Sequence, residues 1–353
     1  GVFFWHHKRL MKHLKSVLIV LLLLYTLPSL LTFLQQRANV PARTYLSSAD
    51  EFGFSEKSVL MLVLDAFNAS VFEEILAENP AYQQTFRDFT FFTDAVGGYT
   101  TTRAAVPWIL TGQYYLNDEP FNQYLARVEP ESLPAFLKTQ GYRVESYPYV
   151  NYFSKVFDNQ AVALPAAERL PAAVEQVVLA GIRYAPLVLK PTFVARYYRG
   201  LNYAHQDLVD FDRRASETTL GGNQPLFKFV HLSGAHVPFQ LDADLQWRDA
   251  GYREQAEGSL LAVSHFLDAL KTAGVYEDTL IFILGDHGNG APMGYSNFPL
   301  ASHAQALLLA KRPGQAFDTL QRSSARVTLG DLPRTIATEV GLDSDFSGYS
   351  LFG

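Results

Sequence analysis

The sequence contains no cysteine among its 353 residues. Disulfide bonds, thiolate metal sites and cysteine nucleophiles are therefore excluded, and any metal ion must be held by Asp, Glu, His or hydroxyl oxygen. The chain also shows no repeat of fixed period and no low-complexity tract, which excludes solenoid and collagen-like folds. With 48% hydrophobic residues, it is long enough for one large globular domain or two modest ones.

Basic side chains are scarce beyond the first 40 residues. Those residues hold five Lys and Arg and no acidic residue, whereas the rest of the chain carries 24 basic against 35 acidic side chains. A surface with this balance binds the phosphates of nucleic acid poorly. We therefore expect no nucleic-acid partner.

The basic N-terminal flank, 1–15, leads into an uncharged and mostly apolar run over 16–36. About 20 such residues suffice to cross a bilayer, and the positive-inside rule keeps the basic flank in the cytoplasm. We predict a transmembrane helix over 16–36, a linker over 37–56 and a globular domain over 57–353. This domain is expected on the periplasmic or extracytoplasmic side of the inner membrane.

A cleaved signal peptide is the alternative, because ANVPA (38–42) offers small residues near a cleavage site. The apolar core of a signal peptide has about 7–15 residues, and this run is longer, which favours the anchor. The chain starts with Gly1, and GVFFW precedes the basic flank. We therefore also expect that the sequence is a fragment of a longer protein and that GVFFW is the end of an earlier membrane span.

Apolar runs alternate with helix-like stretches along the globular domain. The runs are typical of strands buried on both faces of a sheet and lie at 57–67, 90–96, 142–150, 225–234, 279–288 and 304–313. The helix-like stretches lie at 70–78, 131–141, 253–274 and 328–341. This order predicts an α/β fold with a mostly parallel sheet covered on both faces. In such folds the ligand site lies at the carboxyl ends of the strands.

Polar side chains end two of these apolar runs. Asp65 ends the first, and Asp286 with His287 ends the run at 279–288. Carboxylate and imidazole ligands without thiolate suit zinc or manganese, so we predict a metal site at this edge of the sheet. An Asp after a strand is also a common helix cap or turn former.

Two further histidines flank predicted strands: His236 follows the run at 225–234, and His303 precedes the run at 304–313. Single histidines at such places are often structural, hydrogen-bonded groups. His231 lies inside a strand run and is interpreted as structural. His205 and His265 fall on helix-like faces and receive no role.

The segment GGYTTTRAAVPWILTG (97–112) carries three consecutive threonines before a helix-like run. The order of strand Asp, threonine cluster, HVPF, GDHG and late His resembles the alkaline phosphatase superfamily. Within it, the closest types are the sulfatases and the membrane-anchored phosphoethanolamine and phosphoglycerol transferases. In sulfatases the nucleophile stands ten residues before the glycine of an LTG signature, and Gly112 indicates Thr102. In phosphoethanolamine transferases the nucleophile stands five residues before a proline, and Pro107 indicates Thr102 again.

The resemblance covers about residues 57–353 and implies an α/β/α sandwich around a large, mostly parallel sheet. It implies one divalent ion, zinc, manganese or calcium, with the ligands Asp65, Thr102, Asp286 and His287. Thr102 would be the nucleophile on a phosphate ester. His236 and His303 would contact the phosphoryl group or a second metal and protonate the leaving alcohol. A membrane anchor indicates a substrate at the same surface, a membrane lipid or a lipid-linked glycan.

The sequence departs from these relatives in several respects. The Cys-x-Pro-x-Arg context of sulfatases is missing around Thr102, which disfavours sulfate ester hydrolysis. Phosphoethanolamine transferases usually carry Glu where this chain has Asp65, together with disulfides, and GDHGNG lacks the acidic residue that commonly follows the motif. A sulfuric ester hydrolase or phosphodiesterase that uses water, and a catalytically inactive lipid-binding domain, remain the alternatives.

Overall fold

The computed structural model describes residues 52–147, 155–161, 205–289 and 303–353, with isolated positions elsewhere. The chain divides into two compact units, 1–44 and 45–353. The predicted transmembrane helix over 16–36 falls outside the continuous described segments and stays a prediction. Among the described residues, no helix combines the length and the apolar character needed to cross a bilayer.

The second unit is built around a seven-stranded sheet. In chain order its strands are β1 Ser58–Leu64, β2 Thr90–Phe92, β3 Arg143–Tyr147, β4 Leu226–Leu232, β5 Leu280–Leu284, β6 Leu308–Lys311 and β7 Gln321–Ser323. Their order across the sheet is β7-β2-β6-β5-β1-β4-β3. All pairings are parallel except those of β6, which runs antiparallel to both neighbours. The predicted α/β fold with a mostly parallel sheet is confirmed.

Helices cover both faces of this sheet. In chain order the described helices are α1 Ala69–Glu78, α2 Ala81–Thr85, α3 Thr102–Thr111, α4 Phe121–Val128, α5 Leu133–Thr139, α6 Gln206–Arg214, α7 Tyr252–Thr272 and α8 Leu332–Glu339. Two strand pairs lie outside the main sheet, Gly53–Phe54 with Thr219–Leu220 and Tyr45–Leu46 with Gln160–Ala161.

The central strand β1 shows why the sheet needs helices on both sides. All seven of its residues are buried, and successive side chains point to opposite faces. Leu60, Leu62 and Leu64 pack in a core with α1, α6 and α7, whereas Val59 and Met61 pack in a second core with α3, α4, α5 and α8. The result is a three-layer α/β/α sandwich whose strand ends are open to a ligand.

Candidate metal centre and active site

Three polar side chains meet where two neighbouring parallel strands end. Asp65 follows β1 directly, and Asp286 and His287 follow β5 after one glycine. Because Val63 pairs with Leu284, the two strands end at the same level. One ligand atom from each of the three side chains lies within 4.8 Å of the others. The structure thus brings together the three strand-end residues that the sequence singles out.

Gly285 allows the turn after β5 to approach the backbone of Phe67 closely. A Cβ atom on Gly285 would stand 2.4 Å from the carbonyl oxygen of Phe67, a distance at which one of the two groups must move. The Gly285 amide donates to the Leu307 carbonyl at 3.0 Å, and the Leu307 amide donates to the Phe67 carbonyl at 3.0 Å. This close approach fixes the position of Asp286, the next residue.

The Asp286 carboxylate is fully buried but only half of it is hydrogen-bonded. Its Oδ1 accepts from the backbone amides of Ala66 at 3.1 Å and His287 at 2.9 Å. Its Oδ2 and the Oδ1 of Asp65 have no hydrogen-bond partner among the described residues. Both of these oxygens lie 3.6 Å from Nε2 of His287. Because buried charges require a partner, this arrangement of donor atoms fits a divalent cation.

The electrostatics of Asp65 lead to the same conclusion. Burial, and next the carboxylate of Asp286, raise the pKa of Asp65 from 3.8 to about 9. Two carboxylates this close cannot both stay ionised at neutral pH without a compensating charge. A divalent cation would supply that charge, and carboxylate oxygen with imidazole nitrogen suits zinc or manganese.

The ring of His287 is held with one nitrogen free for a ligand. Its Nδ1 lies 2.8 Å from the carbonyl oxygen of Gly288, which can only accept, so Nδ1 carries the hydrogen. The other nitrogen, Nε2, therefore presents a lone pair to Asp65 and Asp286. A backbone carbonyl that orients a metal-binding histidine in this way is a common second layer of a metal site.

Thr102, the first residue of α3, completes this group. Its Oγ1 donates to Asp65 Oδ2 at 3.2 Å and lies 3.3 Å from His287 Nε2. The preceding residue, Thr101, has extended backbone angles and caps the helix through its carbonyl, which accepts from the Ala105 amide. The hydroxyl of Thr102 therefore reaches two candidate metal ligands at once.

The helix that carries Thr102 is anchored firmly in the core. Trp108 is buried, and its ring fills space that a side chain at Gly98 or Gly330 would need, since a Cβ atom there would stand 2.7 or 2.5 Å from the ring. The segments before and after α3 thus clamp the Trp108 ring. Such anchoring keeps the nucleophile candidate in place relative to the strand ends.

A cleft of about 220 Å³ opens above these residues. Among its lining residues are Thr102, His287 and both further histidines predicted from the sequence, His236 and His303. The ring centroids of His287 and His303 lie 6.1 Å apart, and His236 Nδ1 lies 2.6 Å from the Val237 carbonyl oxygen. The structure therefore places all six predicted site residues at one location.

His231, which the sequence analysis interprets as structural, also lies at this site. Its Nε2 lies 3.9 Å from Asp65 Oδ2 and has no hydrogen-bond partner among the described residues. Burial lowers the pKa of His231, which favours the neutral, ligand-competent ring. The proximity of His231 to Asp65 depends on the register of two neighbouring strands, which the sequence alone does not give. His231 pairs with Val63, two residues before Asp65 on the adjacent strand.

The sequence and the fold are similar to those of known proteins. A family model described as sulfatase matches residues 57–342 of the chain. No curated protein matches it in sequence. Among solved structures, a protein in the alkaline phosphatase superfamily from Vibrio parahaemolyticus is 16% identical, with a TM-score of 0.52 over 86% of this chain and 70% of that chain.

Two other solved structures have the same fold. BT1596, a 2-O GAG sulfatase, is 14% identical, with a TM-score of 0.53 over 84% of this chain and 73% of that chain. The protein Ps i-CgsB is 15% identical, with a TM-score of 0.53 over 81% of this chain and 72% of that chain. The chain belongs to the sulfatase family and has the fold of the alkaline phosphatase superfamily.

Proposed function

We propose that this protein is a metal-dependent enzyme that attacks phosphate esters with Thr102 and transfers a phospho-head-group to or from a lipid or glycan. One observation carries the proposal: the Thr102 hydroxyl lies within 3.3 Å of both Asp65 and His287. Thr102 is the first residue inside α3 and Thr101 is the N-cap, so capping does not explain why the Thr102 hydroxyl faces Asp65 and His287.

Asp65, Thr102, Asp286 and His287 would hold the ion, which we propose to be zinc, with manganese or calcium as alternatives. When bound, such an ion lowers the pKa of a hydroxyl group and offsets negative charge on phosphoryl oxygens. The buried orphan oxygens of Asp65 and Asp286 support this assignment.

In the reaction, the Thr102 hydroxyl first gives up its proton to solvent. Its Oγ then bonds to phosphorus as the bond from phosphorus to the leaving alcohol oxygen breaks, and that oxygen takes a proton from a histidine imidazolium. Asp65 Oδ2 accepts the hydrogen bond of the Thr102 hydroxyl and is placed to orient that oxygen for attack. The product of this step is a phosphothreonine. In the second step an acceptor hydroxyl displaces Thr102 and restores the free side chain.

His303 and His236 are proposed to move protons to and from these oxygens. Each has Nδ1 next to a backbone carbonyl, that of Gly288 at 3.0 Å and that of Val237 at 2.6 Å. Nε2 is therefore the atom that gives a proton to the leaving alcohol from the imidazolium form and takes one from the acceptor hydroxyl in the neutral form. Imidazole suits this task because its pKa lies near neutrality.

The choice of phosphate over sulfate rests on the nucleophile. Thr102 is an ordinary threonine in a chain without cysteine, and the sequence context of a sulfatase nucleophile is missing. Thr102 suits phosphoryl transfer directly. A sulfuric ester hydrolase or a phosphodiesterase that uses water is the second candidate, favoured by the sulfatase match over 57–342.

The substrate is proposed to lie at a membrane surface. The uncharged run at 16–36 would anchor the enzyme in the inner membrane, with the domain on the periplasmic or extracytoplasmic side. A phospholipid head group or a lipid-linked glycan would then reach the cleft without leaving the bilayer.

The test combines metal analysis with intact mass on the domain incubated with phospholipid vesicles. We expect one divalent ion per chain, lost in Asp286→Ala, and a phosphate-containing adduct on Thr102. Thr101→Ala is the matched control, because this exposed neighbouring threonine forms no side-chain cap, and it should keep the adduct, whereas Thr102→Ala should lose it.

Three results would redirect the proposal. Turnover of sulfate esters but not phosphate esters would establish the sulfuric ester hydrolase. Release of phosphate to water without transfer would establish the phosphodiesterase. Vesicle binding with neither metal nor adduct would leave a catalytically inactive lipid-binding domain.

A further inference from the structure

The loop over 233–241, which we call the histidine loop, carries His236 from the end of β4 into the cleft. Its backbone is held by buried side chains that belong to other elements. The two that make most of these contacts are Gln255 in α7 and His205 just before α6, which are 0% and 1% exposed. Neither residue lines the cleft, so direct contact with a ligand does not explain why both hold the loop.

Gln255 joins the two ends of the histidine loop through one amide group. Its Nε2 donates to the His236 carbonyl at 2.7 Å and the Gly234 carbonyl at 3.2 Å. Its Oε1 accepts from the Gln240 amide at 2.8 Å and lies 3.4 Å from the Leu241 amide. The side chain thus replaces the backbone pairing that this irregular segment lacks.

His205 joins two other points of the same loop. The sequence places it on a helix-like face, but the structure buries it against the loop. Its Nε2 donates to the Pro238 carbonyl at 2.6 Å, and its Nδ1 lies 2.8 Å from Ser233 Oγ. Asp207 adds to this attachment, because its carboxylate accepts from the Ser233 amide at 2.6 Å and from the Ser233 hydroxyl at 2.7 Å.

The loop conformation determines which nitrogen of His236 faces the substrate. The His236 amide donates to the Ser233 carbonyl at 3.0 Å, while Nδ1 of the ring lies 2.6 Å from the Val237 carbonyl. That second contact puts the hydrogen on Nδ1 and leaves Nε2 for chemistry. The contact between Nδ1 and the Val237 carbonyl exists only while the backbone of His236 and Val237 keeps this conformation. Gln255 holds that backbone through its hydrogen bond to the His236 carbonyl.

We propose that Gln255 and His205 are positioning residues that act through His236, an inference that rests on the proposed function of this histidine. Without them the histidine loop relaxes, and the His236 ring loses its fixed hydrogen position and its aim at the phosphoryl group. A misplacement of about 1 Å at a reacting group can lower a rate about 100-fold.

A double-mutant cycle tests the dependence on His236. We expect Gln255→Met, which keeps the side-chain length and removes every hydrogen bond, to lower kcat about 10- to 100-fold. In a His236→Ala background the same substitution should change kcat less than about 2-fold, because residues that act as one unit are not additive. Equal losses in both backgrounds would overturn the proposal, as would loss of bound metal in Gln255→Met.

Two further variants separate positioning from stability. Ser259→Ala removes a buried hydrogen bond one turn along α7, from Ser259 Oγ to the Gln255 carbonyl at 2.9 Å, without touching the loop side chains. It should lower stability and leave kcat within about 2-fold. His205→Phe keeps a ring and loses both loop contacts, so we expect the same kcat loss as for Gln255→Met. If Gln255→Met fails to fold, His205→Phe takes its place in the test.

A spectroscopic measurement keeps the inference testable if no ester proves to be a substrate. ¹⁵N spectra of histidine-labelled, zinc-loaded protein report which ring nitrogen carries the hydrogen, and the His236 signals are identified by their loss in His236→Ala. We expect a fixed Nδ1–H form in the wild type and averaged signals in Gln255→Met and His205→Phe. An unchanged Nδ1–H signal in both variants would refute the inference, whatever the enzyme's activity.

Discussion

His287 and His303 share one acceptor: the Nδ1 atoms of both rings lie within hydrogen-bond distance of the Gly288 carbonyl oxygen, at 2.8 and 3.0 Å. The Gly288 amide in turn donates to the His303 carbonyl at 2.8 Å. One glycine therefore orients a candidate metal ligand and a candidate proton donor. Nε2 of each ring points away from this carbonyl. The shared acceptor thus explains why two histidines that are 16 positions apart in the sequence both line one cleft.

This arrangement predicts the behaviour of His303→Gln. Loss of a proton donor should lower kcat about 100- to 10,000-fold with an alkyl phosphodiester. The loss should be much smaller with a nitrophenyl ester, because nitrophenolate leaves without needing a proton. Steady-state kinetics with both esters, alongside metal analysis, check this.

His265→Gln is the control for that experiment, since His265 is exposed and pairs with Asp212 at 2.7 Å. It should leave both activities within about 2-fold. If His303→Gln reduced turnover of the two esters equally, His303 would have no role in protonating the leaving group.

The metal-free protein should lose stability as the pH rises. The pKa of Asp65 is about 9 in the folded protein against 3.8 unfolded, so between these values the folded state binds a proton that the unfolded state lacks. The free energy of unfolding then falls with rising pH, by at most about 1.4 kcal/mol per pH unit. Urea unfolding at about pH 7 to 8.5 with chelator measures this slope, because at lower pH the lowered pKa values of His231 and His205 have the opposite effect on stability.

Two changes should flatten that slope. Asp65→Asn removes the titrating group, and saturating zinc offsets the charge that makes ionisation unfavourable. If the metal-free wild type and Asp65→Asn showed the same dependence on pH, the carboxylate pair would not be coupled as described.

Gly234 lies against the backbone of Asp65, so Gly234→Ala should weaken metal binding although Gly234 is not a ligand. A Cβ atom at this position would stand 2.6 Å from the Asp65 amide nitrogen, and the residue has φ +50. The clash adds to a backbone strain of about 1–2 kcal/mol. Zinc titration of the metal-free variant measures the effect, and we expect at least a 10-fold loss of affinity.

Gly274→Ala is the matched control, because Gly274 has φ +72 but open space around its Cβ position. It should lose a similar amount of stability from strain and keep its zinc affinity. Equal zinc affinities in the two variants would show that Gly234 does not position Asp65.

Arg103 is adjacent to Thr102 but should contribute little to catalysis. Its guanidinium lies 4.3 Å above the ring of Phe121, and the side chain is exposed. Arg103→Gln should keep kcat/KM within about 3-fold and lower the free energy of unfolding by about 0.5–1 kcal/mol. A loss of kcat/KM above 100-fold would instead assign Arg103 to the phosphate.

The strand-end residues could be predicted from the sequence because their signal is local. Asp65 and Asp286 each follow an apolar run, and a parallel sheet brings such ends together. The direction of β6 could not be predicted, because the apolar run at 304–313 has no directional pattern. His303 therefore reaches the site from the start of an antiparallel strand, a fact that only the sheet pairing reveals.

Polar residues within strands and helices carry no local sequence signal of the partners that they meet in the fold. His231 in β4 looks like one more residue of an apolar strand, and its proximity to Asp65 depends on pairing between residues far apart in sequence. The same holds for Gln255, because its hydrogen-bond partners lie in the histidine loop, which it meets only in the folded structure. The edge strand β7, QRS, carries no apolar pattern at all, so only its pairing with β2 identifies it.

The strand order has a consequence for synthesis of the chain. Ser58 of β1 pairs with Leu226, and Val59 pairs with Leu280, so the central strand gains its second partner only after β5 has been made. A nascent chain that ends before β5 already contains Asp65 and Thr102 but neither Asp286 nor His287. If Thr102 is the nucleophile that we propose, it gains the candidate metal ligands Asp286 and His287 only after β5 and the residues that follow it have been made.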